Sequence, residues 1–221
     1  MFDRVIDLIG KEKFKLLQSK KVLIIGCGGV GGYALETLVR SGINNIGIID
    51  FDKIDISNLN RQIITNQDNV GNLKIYECVK RAKSINLDIQ INSYNLFLNK
   101  DNIELLSNYD YIIDACDTVS TKLEIIKYCV FNNIKLISCM GTAKKINPLK
   151  LSITTLDKTK YDPLAKVMRR KIKELGINKK IYVVSSLEEI IDSDNLGSFM
   201  MVPATAGILC AKFVIDDILS L

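Results

Sequence analysis

The stretch KKVLIIGCGGVGGYALETLV, residues 20–39, decides the fold class of this chain of 221 residues. Its apolar run at residues 21–26 is typical of a strand that is buried on both faces of a sheet. A helix is predicted at residues 30–41, where apolar residues recur on one side and Gly42 provides a stop. Between them, glycines stand in the spacing G-x-G-x-x-G, at Gly26, Gly28 and Gly31. This order favours a nucleotide-binding unit, and a turn without a ligand is the alternative.

Buried strands and helices alternate along the next hundred residues. Strands are predicted at residues 45–50, 89–98, 111–116 and 135–141, and helices at residues 71–86 and 120–133. The alternation predicts an α/β fold, a Rossmann-like and mostly parallel sheet with helices on both faces. After residue 143 the pattern changes to antiparallel or edge strands at residues 151–156 and 181–186, which flank a basic helix. We expect one domain, 1–221, with a nucleotide-binding core at 1–143 and a substrate-facing extension at 144–221.

Composition narrows the class of protein. Apolar residues make up 48% of the chain, which indicates a globular fold. The six cysteines include no C-x-x-C pair, so neither a zinc site nor a disulfide framework is expected. Residues 1–19 lack the apolar core of a secretory signal, and the apolar stretch at 200–221 contains Lys212, Asp216 and Asp217. We interpret that stretch as a buried helix, and expect a cytoplasmic protein without membrane contact.

Polar residues follow the ends of the predicted strands, where ligands bind in parallel sheets. Asp50 lies 19 residues after Gly31, the spacing of a carboxylate that takes ribose hydroxyls. A second carboxylate, a cation and two amides come next and suit a triphosphate better than a nicotinamide, namely Asp52, Asn58, Arg61 and Gln62. Lys74 could reach the same phosphates. Asp117 follows another buried strand and could hold Mg²⁺, which binds through one or two carboxylates and phosphate oxygens.

Each of these residues also has a structural interpretation. Lys74 could be a solvated surface charge, Asp117 could cap a helix, and Asp50 could cap a turn. Cys27 in the glycine loop and Cys116 beside Asp117 are better explained as small buried thiols than as nucleophiles. The sequence alone leaves these alternatives open.

Taken together, the motifs resemble the nucleotide-binding domain of the HesA/MoeB/ThiF family, the bacterial relatives of ubiquitin-activating enzymes. The resemblance covers residues 1–145 and includes the glycine loop, DFD, SNLNRQ, GNLK and DACDT in that order. It implies that ATP and Mg²⁺ are used to convert a carboxylate into an acyl-adenylate, with release of pyrophosphate.

The resemblance also implies residue roles. Gly28 and Gly29 would line the phosphates, and Asp50 would take the ribose. Asn58, Arg61 and Lys74 would contact phosphates, with Arg61 and Lys74 catalytic, and Asp117 would serve Mg²⁺. Arg4 matches an arginine that reaches the nucleotide of the partner subunit in this family, which implies a homodimer; a surface position is the alternative.

The C-terminal third resembles one branch of the family, the tRNA threonylcarbamoyladenosine dehydratases, at residues 162–177, 181–186 and 197–215. This branch implies that a tRNA carrying threonylcarbamoyladenosine is the partner. Its threonyl carboxylate is activated with ATP, and a nitrogen of the modified base closes a ring with net loss of water. An activator of a small sulfur-carrier protein and a non-catalytic NAD-binding module are the alternatives, and a sulfur-relay protein is left open as a further partner.

Charge favours an RNA partner independently of the resemblance. Residues 144–180 contain twelve Lys and Arg against three acids, a net charge of +9 in a chain whose total is +5. Such a concentration is typical of a surface that binds a polyanion. Helical spacing places four basic residues on one face, and we expect them to touch tRNA: Lys166, Arg169, Arg170 and Lys173. A merely solvated basic helix is the alternative.

Overall fold

Seven strands form one sheet in the computed structural model, which describes residues 1–221. They are β1 (Lys21–Ile25), β2 (Asn45–Ile49), β3 (Gln90–Tyr94), β4 (Tyr111–Asp114), β5 (Lys135–Cys139), β6 (Leu151–Thr155) and β7 (Tyr182–Ser186). The sheet order is β3-β2-β1-β4-β5-β7-β6, and every pair is parallel except β6 with β7. The prediction of a mostly parallel α/β sheet with a few antiparallel strands is confirmed.

Helices cover both faces of this sheet. They are α1 (Asp3–Ile9), α2 (Lys11–Ser19), α3 (Gly31–Ser41), α4 (Lys74–Ile85), α5 (Val119–Asn132), α6 (Pro163–Glu174) and α7 (Met201–Leu219). One core joins α2, α3, α4 and α7 to strand residues such as Val22 and Ile24. The cores on the other face join α5 and α6 to residues such as Leu23 and Val183. Because neighbouring residues of a strand face opposite sides, a strand between two helical layers must be apolar throughout.

Two predicted elements differ most from the structure, and the ends of the others differ by one or two residues. Helix α4 begins at Lys74 rather than Gly71, because a short 3₁₀ helix at Gln67–Asn69 precedes it and Leu73 is extended. Strand β3 ends at Tyr94 rather than at residue 98, because its only neighbour, β2, ends opposite it at Ile49.

The region after residue 143 belongs to the same sheet as the region before it. Strand β7 pairs in parallel with β5 and antiparallel with β6, which forms the edge. The basic helix α6 lies between β6 and β7 in the chain, as predicted. The division into a core and an extension at residue 143 stays a prediction, since hydrogen bonds of the sheet run across it.

The C-terminal helix α7 is packed closely on α3. A Cβ atom added at Gly207 would lie 2.2 Å from the carbonyl oxygen of Val30, so only glycine allows this approach. Ten residues of α7 are buried, in agreement with its interpretation as a core helix. None of the helices combines the length and apolar composition that a membrane crossing requires.

Candidate active site

A cavity of about 610 Å³ opens at the carboxyl ends of the parallel strands. Residues that follow β1, β2, β4 and β5 line it, including Gly26, Asp50, Cys116 and Met140. The chain leaves β1 for β2 and β3 on one side of the sheet and continues with β4 on the other. Such a switch point is where open α/β sheets bind their ligands, and the volume suits a small molecule such as a nucleotide.

The glycine loop forms one wall of this cavity. Gly26 has a φ of +88°, and a Cβ there would lie 2.8 Å from the carbonyl oxygen of Ala115. A Cβ at Gly31 would lie 1.8 Å from the carbonyl oxygen of Gly26, so Gly31 allows α3 to approach β1. Gly28 and Gly29 line the cavity, whereas Gly31 does not. The structure therefore gives Gly31 a packing position, whereas Gly26, Gly28, Gly29 and the residue before α3 line the cavity.

Two carboxylates and a buried lysine stand at the end of β2. Asp50 is buried, and its two oxygens accept hydrogen bonds from the backbone N–H groups of Cys27 at 2.6 Å and Asp52 at 2.8 Å. Burial raises the pKa of the Asp50 carboxyl above its ordinary value, although these N–H groups and the charge of Lys74 oppose the rise. The Lys74 ammonium lies 2.7 Å from Asp52 Oδ2, with only 7% of its side chain exposed. Lys74 is therefore not a solvated surface charge.

The polar loop after β2 reaches the same cavity. Asn58, Arg61 and Gln62 all line it, as the sequence predicts for a ligand site. Arg61 Nη1 donates to the carbonyl of Ser57 at 2.8 Å and to Asn60 Oδ1 at 2.9 Å, which fixes the guanidinium at the cavity. Gln62 is buried, and its Oε1 has no hydrogen-bond partner in the chain. A buried unpaired oxygen is costly, so Gln62 favours a ligand that donates a hydrogen bond here.

Asp117 stands at the end of β4 with an exposed carboxylate that lines the cavity. Its only hydrogen bond within the chain comes from Thr118 Oγ1 at 3.3 Å. The residue at the N-cap of α5 is Thr118, so Asp117 does not cap the helix. No cluster of three His, Cys, Asp or Glu residues surrounds it. A single free carboxylate fits the way Mg²⁺ binds nucleotides, in which phosphate oxygens and water complete the coordination.

Arg4 lies apart from these residues. It is exposed on α1, does not line the cavity and has no hydrogen bond or ion pair within the chain. A single protomer thus brings together the predicted nucleotide residues of the strand ends but leaves Arg4 outside. Its predicted action across a dimer stays a prediction.

The sequence analysis missed a charged pair that is completely buried beneath the cavity. Lys122 Nζ lies 3.0 Å from Asp114 Oδ2 and 2.8 Å from the carbonyl oxygen of Cys139, and both charged side chains are fully inaccessible. Ser138 Oγ donates to the same carboxylate oxygen at 2.5 Å. Burial alone would lower the pKa of the Lys122 ammonium, but the Asp114 carboxylate raises it above its ordinary value. The pair connects α5, β4 and β5.

Asp114 also contacts the nearest thiol. Asp114 Oδ1 accepts hydrogen bonds from the backbone N–H of Cys116 at 3.2 Å and from its thiol at 3.0 Å. Burial, followed by the charge of Asp114, raises the pKa of the Cys116 thiol far above its ordinary value. A protonated thiol is a poor nucleophile, so Cys116 has a structural position at the cavity wall.

Three of the four predicted tRNA-contacting residues occupy the exposed side of α6. Lys166, Arg170 and Lys173 are exposed, whereas Ala165, Met168 and Ile172 are buried on the opposite side. Arg169 is half-buried, and its Nη1 donates to the carbonyl oxygen of Thr159 at 2.9 Å. Lys171 and Arg170 both lie within 4 Å of Glu174.

A second buried pair, also missed from the sequence, attaches α6 to the cavity. Asp162 caps α6 through a hydrogen bond from the Ala165 N–H at 3.0 Å. Lys145 Nζ lies 3.3 Å from the other oxygen of Asp162 and 2.8 Å from the carbonyl oxygen of Gly141, which lines the cavity. The basic helix therefore starts directly at the cavity rim.

Another cavity, of about 660 Å³, lies at the amino ends of the parallel strands. It is formed by the starts of β5 and β7 and the ends of α5 and α7, including Lys135, Tyr182 and Asp217. The glycine loop and the carboxylates of the strand ends are absent from it. The smaller cavity at the carboxyl ends is therefore the candidate active site.

Comparison with known proteins identifies the family of this chain. The family model described as "ThiF family" matches residues 2–150, about two thirds of the chain. The chain therefore belongs to the ThiF family.

Particular relatives extend the similarity over nearly the full length. The tRNA threonylcarbamoyladenosine dehydratase of Bacillus subtilis is 34% identical over 99% of this chain and 94% of its own. The structure of the Escherichia coli enzyme of that name with ATP superposes with a TM-score of 0.95 at 32% identity, over 99% of this chain and 93% of that chain. The same enzyme has been solved with AMP. By contrast, a probable molybdopterin-synthase adenylyltransferase of Gracilaria tenuistipitata, 40% identical, matches 57% of this chain and 36% of its own length.

Replacing Lys122 by Met should destabilise the fold strongly, because the Asp114 carboxylate would remain buried without its counter-charge. Breaking a buried pair in this way costs about 3–5 kcal/mol. Urea unfolding measures the loss. The double variant Lys122→Met/Asp114→Asn should recover much of it, and a single variant as stable as the wild type would contradict the assigned role.

The difference in unfolding free energy between wild type and Lys122→Met should also depend on pH. The raised pKa of Lys122 contributes stability that is fully present below the ordinary lysine pKa of about 10.4 and is lost as the pH rises through the folded-state value. The stability gap between wild type and Lys122→Met should be constant from neutral pH to about 9 and should narrow above about 10.4.

Proposed function

We propose that this protein is an ATP-dependent dehydratase of threonylcarbamoyladenosine in tRNA. The observation that carries the proposal is the extent of the similarity. Relatives with that name match the chain over nearly its whole length, including the basic C-terminal third. The carrier-protein activator matches little more than half of the chain.

The proposed reaction has two steps that balance. A threonyl carboxylate oxygen attacks the α-phosphorus of ATP, forming an acyl-adenylate and releasing pyrophosphate. A nitrogen of the modified base then attacks the acyl carbon, loses its proton and expels AMP, so that a ring closes and the base has lost one water. AMP keeps the oxygen that came from the carboxylate. Phosphorylation in place of adenylylation would give the same modified base.

The residues of the cavity supply recognition and charge for these steps. The backbone N–H groups of Gly28 and Gly29 and the start of α3 suit phosphate oxygens. Asp50 suits the ribose hydroxyls, since each of its oxygens can accept a further hydrogen bond. Three side chains would neutralise or orient the phosphates: Asn58, Arg61 and Lys74. Asp52 holds the Lys74 ammonium at the cavity, and the remaining N–H donors of the ammonium could reach a phosphate oxygen.

Asp117 is the residue that would hold Mg²⁺. The ion, when bound with ATP, neutralises charge that develops on the phosphates during transfer. Asp114, which pairs with Lys122, also holds the backbone N–H of Cys116, the residue before Asp117. The carboxylate of Asp117 would therefore remain available for the ion.

The alternatives explain fewer of the observations. An activator that takes over the acyl group on a thiol would need a reactive cysteine, but the pKa of Cys116 is raised. An NAD module would leave Arg61, Lys74 and Asp117 without a role. We expect the reaction to take place in the cytoplasm, where tRNA is available, and a sulfur-relay partner stays a prediction.

The reaction itself is tested by incubating the protein with ATP, Mg²⁺ and tRNA that carries threonylcarbamoyladenosine. Nucleoside mass spectrometry should show loss of one water from the modified adenosine, dependent on ATP. No loss of water, together with pyrophosphate exchange that requires a carrier protein ending in Gly-Gly, would favour the carrier-activating alternative.

Asp117→Asn should lower kcat while the protein stays folded, because the substitution removes the charge at an exposed position. Loss of one such electrostatic group costs about 10²–10³ in kcat. Steady-state assays across a Mg²⁺ titration measure the effect. Asp88→Asn is the matched control, since Asp88 is an exposed acid just before the amino end of β3 and does not line the cavity. Equal activity of both variants would overturn the assignment of Asp117.

Arg4 is proposed to act on the nucleotide of a partner subunit in a homodimer. Arg4→Ala and Asp117→Asn should each be nearly inactive alone, but mixing the two proteins should restore activity. Each mixed dimer would then contain one site with both residues intact. A mixture no more active than its components, despite subunit exchange shown by mass spectrometry, would rule out action across the dimer.

The basic face of α6 is proposed to contact tRNA phosphates. Lys166→Gln should weaken tRNA binding and lower the log–log salt slope by about 0.7–0.9, the value for one lost phosphate contact. Lys171→Gln removes the same charge from a residue that already lies 3.7 Å from Glu174, and should change the slope less. Filter binding at several salt concentrations measures the salt slopes of the two variants and of the wild type. Identical slopes would indicate a diffuse field rather than a contact face.

A further inference from the structure

Tyr161 is an exposed aromatic residue in an unusual backbone conformation at the start of the basic helix. Its φ is +56°, in the left-handed region that bulky residues rarely adopt. Its surface is 53% exposed. The ring has no aromatic partner, and its hydroxyl makes no hydrogen bond within the chain. Folding therefore gains little from this side chain and accepts an unfavourable backbone conformation at its position.

The backbone on both sides of Tyr161 is firmly anchored. Thr159, two residues earlier, is buried, donates from its hydroxyl to the carbonyl oxygen of Leu156 at 2.7 Å and accepts from Arg169. Asp162, the next residue, is buried and held by the Ala165 N–H and by Lys145. Anchors this close fix the position from which the ring projects. Unfavourable backbone conformations persist where the surroundings impose them, and they concentrate at functional sites.

The surroundings of the ring are cationic and close to the active site. Lys158, Lys160 and Lys166 are all exposed, and none forms an ion pair within the chain. Residues 157–161 contain one acid, Asp157. A Cβ at Gly141 would lie 3.2 Å from Asp162 Oδ1, and Gly141 lines the cavity. Tyr161 therefore directly precedes the residue that contacts the cavity rim at Gly141.

An exposed ring among unpaired cations is the arrangement that recognises single-stranded nucleic acid. Cations bind the phosphates, and unstacked bases of a loop stack on the aromatic face. We infer that Tyr161 is a stacking platform for an unpaired base of the tRNA loop that carries the modified adenosine. The inference rests on the proposed function, and it assigns base contact to a residue outside the nucleotide cavity and the phosphate-contacting face of α6.

The absence of tryptophan from the chain allows a direct test. Tyr161→Trp introduces a single tryptophan, whose emission a stacked base should quench when an RNA stem-loop that carries the modified adenosine is added. Phe131→Trp is the matched control, because Phe131 is 74% exposed near the end of α5, which leads into the start of β5 and therefore lies away from the carboxyl ends of the strands. Saturable quenching at position 161 and none at position 131 is expected. Unchanged emission at 161, while a labelled stem-loop shows binding by anisotropy, would overturn the inference.

Activity gives a second measurement. Tyr161→Gly should leave the melting temperature unchanged or raise it, because glycine adopts a positive φ readily. It should nevertheless raise KM for tRNA by roughly 5- to 150-fold, the range for one lost base-stacking contact. KM for ATP should not change, and Tyr161→Phe should behave as wild type. Unchanged KM for tRNA in Tyr161→Gly would contradict the platform.

The outcomes separate this inference from the proposed function. If the wild-type protein dehydrates the modified tRNA but neither quenching nor KM depends on position 161, only the platform is wrong. If quenching occurs but no dehydration is found with ATP, the platform stands as an RNA-binding residue and the proposed reaction is wrong.

Discussion

The buried ion pair between Lys122 and Asp114 is the interaction on which the active site depends. It lies under the cavity and joins β4, β5 and α5 through contacts of 2.5–3.3 Å. Two charges without access to water are stable only if their hydrogen bonds are complete. Asp114 meets this condition with Lys122, Ser138 and both donors of Cys116. The loop after β4 thereby obtains a fixed geometry, and Asp117 at its end remains free to bind a ligand.

A second buried pair extends this order from the cavity to the surface proposed for tRNA. Lys145 joins the carbonyl of Gly141 to Asp162, which caps α6. The rim of the cavity and the start of the basic helix are thus parts of one rigid arrangement. An enzyme that activates a group on a large substrate needs such a connection, since the reacting atoms must be held in a near-attack geometry. The same pair supplies one of the two anchors of Tyr161, and the buried Thr159 supplies the other.

Much of the fold and of the cavity could be predicted from local sequence patterns. Continuous apolar strands, the glycine spacing and the position of Asp50 are patterns of residue type and spacing, which can be recognised in the sequence before any contact is known. Gly31 shows the limit of a motif, because its role depends on the distance between α3 and β1. The buried pairs of Lys122 and Lys145 were not predicted, because a lysine is normally assigned to the surface. Their partners lie 8 and 17 residues away in the sequence, so no short motif indicates the pairs. The position of Lys122 on the apolar stripe of α5, with Ile125, Ile126 and Cys129, was the available signal.

The central claim is that the cavity activates a carboxylate through a phosphorus atom of ATP. It is tested most directly with tRNA whose threonylcarbamoyl carboxylate is labelled with oxygen-18. After one turnover, mass spectrometry of the nucleotide products should find the label in AMP, because the carboxylate oxygen leaves with the adenylyl group. Label in inorganic phosphate would identify phosphorylation as the form of activation. Complete absence of the label from AMP and phosphate, with the base dehydrated, would contradict carboxylate activation by this site.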